Sequence, residues 1–151
     1  MQITLAAVGK MRQCPEQDLL NKYISMLPWA ITIKEIDSKK TDIVQRKADE
    51  ADKLLAATAD AHIRIALDEH GKTWKSREFA SHFQQWQDEG IRHVAFLIGG
   101  QDGLDKRALE AARLSIAFGK LTWPHMLMRP LLAEQLYRSY SILTNHPYHR
   151  D

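Results

Sequence analysis

His93-Val94-Ala95-Phe96-Leu97-Ile98, followed by Gly99-Gly100-Gln101-Asp102-Gly103, is the stretch that decides the fold. A half-buried strand alternates apolar and polar side chains, whereas a nearly unbroken apolar run belongs to a strand covered on both faces. Glycines at 99, 100 and 103 then let the backbone turn sharply and approach a neighbour where side chains would collide. Open α/β sheets bind ligands beyond the carboxyl ends of their strands, and this loop leaves such an end. Its spacing departs from the dinucleotide fingerprint, which needs glycines at the first, third and sixth positions and an acid about 20 residues on. It also lacks the Gly-Lys-Thr/Ser ending of a phosphate-binding loop. Taken alone, the loop reads equally well as a tight strand-to-helix turn.

Outward from this strand, the chain alternates between two periodicities. Ile3, Leu5 and Ala7 form one strand closed by Gly9; Trp29, Ile31 and Ile33 form another; Ile63, Ile65 and Leu67 form a third, with a turn expected over Asp68–Lys72. Helices are expected from Pro15 to Leu27 and from a Thr41 cap through Thr58. Two more run from a Ser76 cap to Gly90 and from an Asp105 cap through Ser115. A short strand or extended loop follows, and a last helix covers Leu127 to Leu143, its first turn delayed or bent by Pro130. The order predicts an α/β fold, a mostly parallel sheet with helices on both faces, in one domain over 1–151.

Composition narrows the class. With 151 residues, 44% hydrophobic and 26% charged, the chain reads as a globular domain. The single cysteine, Cys14, excludes a disulfide framework or multi-cysteine zinc site. No apolar run approaches the ~18 residues of a membrane span. The N-terminus has no basic residue before a short apolar stretch, so a cytoplasmic protein is expected. Lys and Arg number 21 against 19 Asp and Glu, a net charge of +2, which argues against a protein gripping nucleic acid by bulk charge.

Three further segments carry possible chemistry. Phe118-Gly119-Lys120-Leu121-Thr122-Trp123-Pro124-His125 brings a second glycine loop, with Trp123 able to stack on a flat ring or to fill core. Two such loops, with Leu67 ending a neighbouring strand, suit an adenine held by backbone groups and apolar walls. The last helix is apolar around most of its circumference, from Leu127 and Met128 to Tyr140 and Leu143. Such a helix needs cover on more than one side, from a second subunit or as a central core helix. The tail, Asn145-His146-Pro147-Tyr148-His149-Arg150, is dense in aromatic and cationic groups suited to unpaired bases and phosphate. It is expected to contact RNA and to add little stability. No metal is expected, because His146 and His149 have no carboxylate nearby except Asp151.

The ordered set LAAVGK (5–10), ALDEHGK (66–72), LIGGQDG (97–103), LTWPHMLMR (121–129), LAEQLYRSYSI (132–142) and NHPYHR (145–150) closely resembles the RlmH family of SPOUT-class methyltransferases. The resemblance implies a parallel α/β sheet whose C-terminal part is threaded into a trefoil knot, an arrangement otherwise very rare. It implies a homodimer that binds S-adenosylmethionine and methylates N3 of a pseudouridine in 23S ribosomal RNA, on assembled ribosomes. By motif, the cofactor pocket is Leu67, Gly99, Phe118, Gly119, Lys120, Leu121, Thr122 and Trp123, and Arg138, Tyr148 and His149 lie near methyl transfer. Two other readings stand beside it: an RNA-binding dimer without catalysis, and a SPOUT enzyme acting on transfer RNA.

Overall fold

The computed structural model describes residues 1–150. Its elements are β1 (Gln2–Val8), α1 (Pro15–Met26), β2 (Ala30–Ile36), α2 (Ile43–Ala57), β3 (Ile63–Thr73), α3 (Ser76–Asp88), β4 (His93–Ile98), α4 (Lys106–Glu110), β5 (Leu114–Ala117) and α5 (His125–Leu143). The five strands form one sheet in the order β2-β1-β4-β3-β5, and every neighbouring pair is parallel. β4 is central and buried along its whole length, as its apolar run requires.

Side-chain alternation sorts the sheet into two faces. Ile3, Leu5, Val94, Phe96 and Ile65 pack with Leu20 of α1, Phe83 of α3 and Leu136 of α5. Ala6, Val8, Ala66 and Leu97 face Leu54 of α2 and Ala108 of α4. Trp29 stacks on Phe83 with ring centroids 5.0 Å apart, and Phe83 meets Trp86 edge-on at the same separation. Burial of side chains this large contributes about 1.5–3 kcal/mol each.

Three local expectations are corrected. The segment after Leu67 is not a turn: β3 continues to Thr73 with a register shift between Leu67 and Lys72. Gly71 permits this, since a Cβ there would lie 2.6 Å from the Ile116 backbone. The helix from Asp105 stops at Glu110, because Leu114, Ser115 and Ile116 pair with Ile65, Ala66 and Leu67. The last helix starts earlier than expected, at His125, and runs continuously through buried Pro130.

α5 packs against both α1 and α3. It is therefore the central helix of its layer, and Leu136 is fully buried within one chain. Arg129 pins this helix to the sheet. Its buried guanidinium donates to Glu35 Oε1 at 2.8 Å and to the carbonyls of Val8 (3.0 Å) and Gly9 (2.5 Å). No helix is long and apolar enough to cross a membrane, among the described residues.

Candidate active site

Beyond the carboxyl ends of β3, β4 and β5 opens a cleft of about 610 Å3. Its floor is the loop after β4, where Gly103 N–H donates to Gly100 O at 3.0 Å. A Cβ on Gly99 would lie 2.7 Å from the Gly103 carbonyl carbon, so this tight return admits only glycine. Arg46 of α2 holds the loop from below through Asp102, at 2.5 Å.

The far wall is the segment between β5 and α5. Gly119 adopts φ 99°, a left-handed conformation that side chains disfavour. Trp123 Nε1 donates to Phe118 O at 2.9 Å, closing the loop on itself, and Thr122 Oγ1 donates to Glu69 Oε2 at 3.4 Å. Trp123 is 40% exposed, so it is not a core residue. Leu67, Ile98 and Ile116 supply apolar surface, while Asp68, Glu69 and Asp102 bring three carboxyl groups. His125 also lines the cleft. Burial, and then the charge of Arg129, push its pKa below the usual histidine value, so it faces the cleft neutral.

A second, smaller cavity of about 270 Å3 lies behind the same wall. Ile116, Ala117, Phe118, Gly119 and Trp123 line both. Its remaining boundary comes from the end of β3, the start of α3 and Leu131 and Gln135 of α5.

The tail folds back on α5. Tyr148 donates its hydroxyl to Glu134 Oε1 at 2.9 Å, Arg138 Nε donates to the same oxygen at 3.0 Å, and the Arg138 guanidinium lies over the Tyr148 ring at 5.0 Å. Tyr148 also meets Tyr137 edge-on at 4.7 Å. Burial, with hydrogen bonds to Tyr23 and Glu134, pushes the Tyr148 pKa up, so the phenol stays protonated. Arg138 Nη1 approaches His149 Nδ1 at 3.3 Å. Arginine can only donate, so Nδ1 is the acceptor in this contact.

The chain matches the family described as "Predicted SPOUT methyltransferase" over residues 1–149. The chain belongs to the SPOUT methyltransferase family. It is 48% identical over 151 residues to a protein of Paramagnetospirillum magneticum named "Ribosomal RNA large subunit methyltransferase H", with 99% of each chain covered. A protein of the same name from Rhodospirillum centenum is 46% identical, again with 99% of each chain covered. Among solved structures, a "Probable Methyltransferase" from Bordetella pertussis shares the fold with a TM-score of 0.59 at 14% identity, over 91% of this chain and 94% of that one.

Within this SPOUT chain, the expected cofactor residues converge. Leu67, Gly99, Phe118, Gly119, Leu121, Thr122 and Trp123 all line the larger cleft. Lys120 does not; it is exposed beside the wall. Arg138, Tyr148 and His149 cluster together but line neither cavity. The tail buries more than expected, since Tyr148 and His149 are half-buried against α5.

Sequence reasoning missed the groups that hold these residues in place. Glu134 lies four residues before Arg138, a spacing that pairs opposite charges on one helix face and was readable. Tyr23, Arg46 and Glu35 reach their partners across long sequence distances that no local pattern encodes. Among the described residues, no three or more His, Cys, Asp or Glu side chains form a group able to hold a metal ion.

Proposed function

We propose that this chain is a single-domain, cytoplasmic, homodimeric methyltransferase that uses S-adenosylmethionine to methylate N3 of a pseudouridine in 23S ribosomal RNA. The observation that carries this reading is the cleft beyond β3, β4 and β5, built from the glycine-bearing loops of a SPOUT chain. The names of relatives 46–48% identical over 99% of their length support ribosomal RNA of the large subunit as the substrate. Family membership implies that the segment after β4 is threaded as a trefoil knot.

The cleft's residues fit the cofactor. Apolar Leu67, Ile98 and Ile116 accept an adenine ring, and no atom lies within 4 Å of where a Cβ on Gly119 or Gly103 would stand, leaving room for close backbone approach. S-Adenosylmethionine carries a sulfonium and an ammonium, and Asp68 and Glu69 supply negative charge towards them, Asp102 being paired with Arg46. When bound, the cofactor provides an electrophilic methyl group on positively charged sulfur.

The remaining tasks fall to the chain. Holding the acceptor nitrogen in line is the larger contribution, and the rigid loops at 99–103 and 118–123 serve it. The imide nitrogen must lose a proton. Arg138 is placed to stabilise the resulting anion, and His149 accepts the proton once its Nδ1 is released from Arg138. The tail lines neither cavity of its own chain, so a second copy completes the site.

Transfer of radiolabelled methyl groups to unmodified ribosomes, free ribosomal RNA and transfer RNA tests this function. Label in ribosomal RNA at a single pseudouridine is expected. Label in transfer RNA alone, or cofactor binding without transfer to any RNA, overturns it.

A further inference from the structure

We propose that the connection between β1 and α1, through Lys10 and Arg12, binds the phosphate backbone of the substrate RNA beside the cofactor cleft. The proposal rests on the methyltransferase reading above and adds which rim of the cleft the strand crosses.

Parallel topology sets the position. Because every neighbouring pair of strands is parallel, the connections after β1, β2 and β4 leave the same edge of the sheet. β1 lies directly beside β4, with Ala7 opposite Ile98. The chain after β1 therefore starts one strand spacing, roughly 5 Å, from the glycine loop that floors the cleft. Two close approaches join them. A Cβ on Gly100 would lie 3.0 Å from Val8 Cγ1, and one on Gly9 would lie 3.6 Å from Nε2 of His125, which lines the cleft. The connection is the rim of the cleft on the side away from β3.

Backbone anchoring presents two cations to solvent. Gly9 turns the chain at φ 93°. Met11 is buried in the core and donates its N–H to Glu35 Oε1 at 2.7 Å. Lys10 and Arg12, on either side of it, are exposed. The backbone between them is already fixed, so binding orders only two side chains. Neither cation forms an ion pair, among the described residues. Glu35, the carboxylate this connection touches, is matched by Arg129 at 2.8 Å. The next acids along the chain, Glu16 and Asp18, stand in the first turn of α1, where they offset the helix dipole.

Charge decides the partner. A net charge of +2 leaves bulk attraction weak, so phosphate must be held by local cations. On the far side of the cleft, Asp68 and Glu69 repel a phosphate strand. Further along the same edge, the 37–42 connection sets Lys39 and Lys40 against Asp37 and Asp42 and is neutral. The 9–14 connection carries two positive charges and no carboxylate. The Debye length, about 8 Å at physiological salt, exceeds the strand spacing, so these charges act on a phosphate beside the cleft. Such contacts hold an RNA strand in register without reading its sequence. Binding of this uniform kind appears in KM and leaves kcat unchanged.

The test is steady-state methyl transfer to unmodified ribosomes over a range of salt, with S-adenosylmethionine binding measured separately by calorimetry. Lys10→Ala combined with Arg12→Ala is expected to raise the ribosome KM at least tenfold, while kcat and the cofactor Kd stay within twofold. Each charge removed should lower the slope of log KM against log salt by about 0.7–0.9. Lys10→Arg combined with Arg12→Lys should keep both at parent values. Lys39→Ala combined with Lys40→Ala, in the neutral connection, should leave KM within twofold. An unchanged KM and salt slope in the first double variant overturn the proposal. So does a tenfold loss of cofactor affinity, which would make this rim a cofactor contact. An equal rise in KM for the Lys39 and Lys40 double variant also overturns it, since bulk charge would then be the cause. Absence of transfer by the parent protein overturns the underlying methyltransferase reading, a distinct outcome.

Discussion

Tyr148 donates its hydroxyl to Glu134 Oε1 across 2.9 Å, which fastens the end of the chain to the middle of α5. Arg138 bonds the same carboxylate and lies over the same ring. The tail is thereby presented as one pre-organised unit, with His149 held next to Arg138.

Deleting residues 145–150 should therefore cost about 2 kcal/mol, from a charge-assisted hydrogen bond and an aromatic contact. Urea denaturation measures this directly. Methyl transfer should be lost while cofactor affinity is retained. A truncated protein that still transfers at near the parent rate would remove the tail from the mechanism.

Gly99→Ala should lower S-adenosylmethionine affinity at least tenfold. The added Cβ would lie 2.7 Å from Gly103 and 2.9 Å from Leu104 N, both backbone atoms that yield only if the loop moves. Calorimetric titration checks the affinity, and unchanged binding would place the cofactor elsewhere.

Leu136 separates folding from assembly. It is fully buried between sheet and helices within one chain, so Leu136→Ala should cost about 2–5 kcal/mol whatever the oligomeric state. Leu121 and Trp123, exposed by 73% and 40%, are better probes of a dimer contact. Leu121→Glu should shift sedimentation towards monomer without lowering the melting temperature of each chain.

Acid should weaken the protein below about pH 6.5. Burial is the leading cause that pushes His125 and His82 below the ordinary histidine value of 6.5, so the unfolded chain takes up these protons first. Their contribution is complete above that pH and is lost as pH falls through the lowered folded values. Glu50, raised by burial, acts oppositely nearer the ordinary glutamate value of 4.5. Melting temperature between pH 7.5 and 5.5 should fall with acid, and His125→Asn should flatten the slope.

The unbroken apolar run at 93–98 was enough to require a central parallel strand, because only cover on both faces accommodates it. Alternation at 3, 5 and 7 and helical spacing at 79, 83 and 86 were equally legible, since each is a local periodicity. The motifs at 66–72, 97–103 and 118–123 likewise named seven residues that line the cleft. What sequence could not decide depends on contacts between distant segments. β3 runs past Leu67 because β5 pairs with it, α5 is central because α1 and α3 close around it, and Arg129 is buried because Val8, Gly9 and Glu35 receive it. The same holds for the smaller cavity, whose walls come from β3, α3, β5 and α5. Local preference is written along the chain; a surface assembled from four elements exists only once the sheet has ordered them.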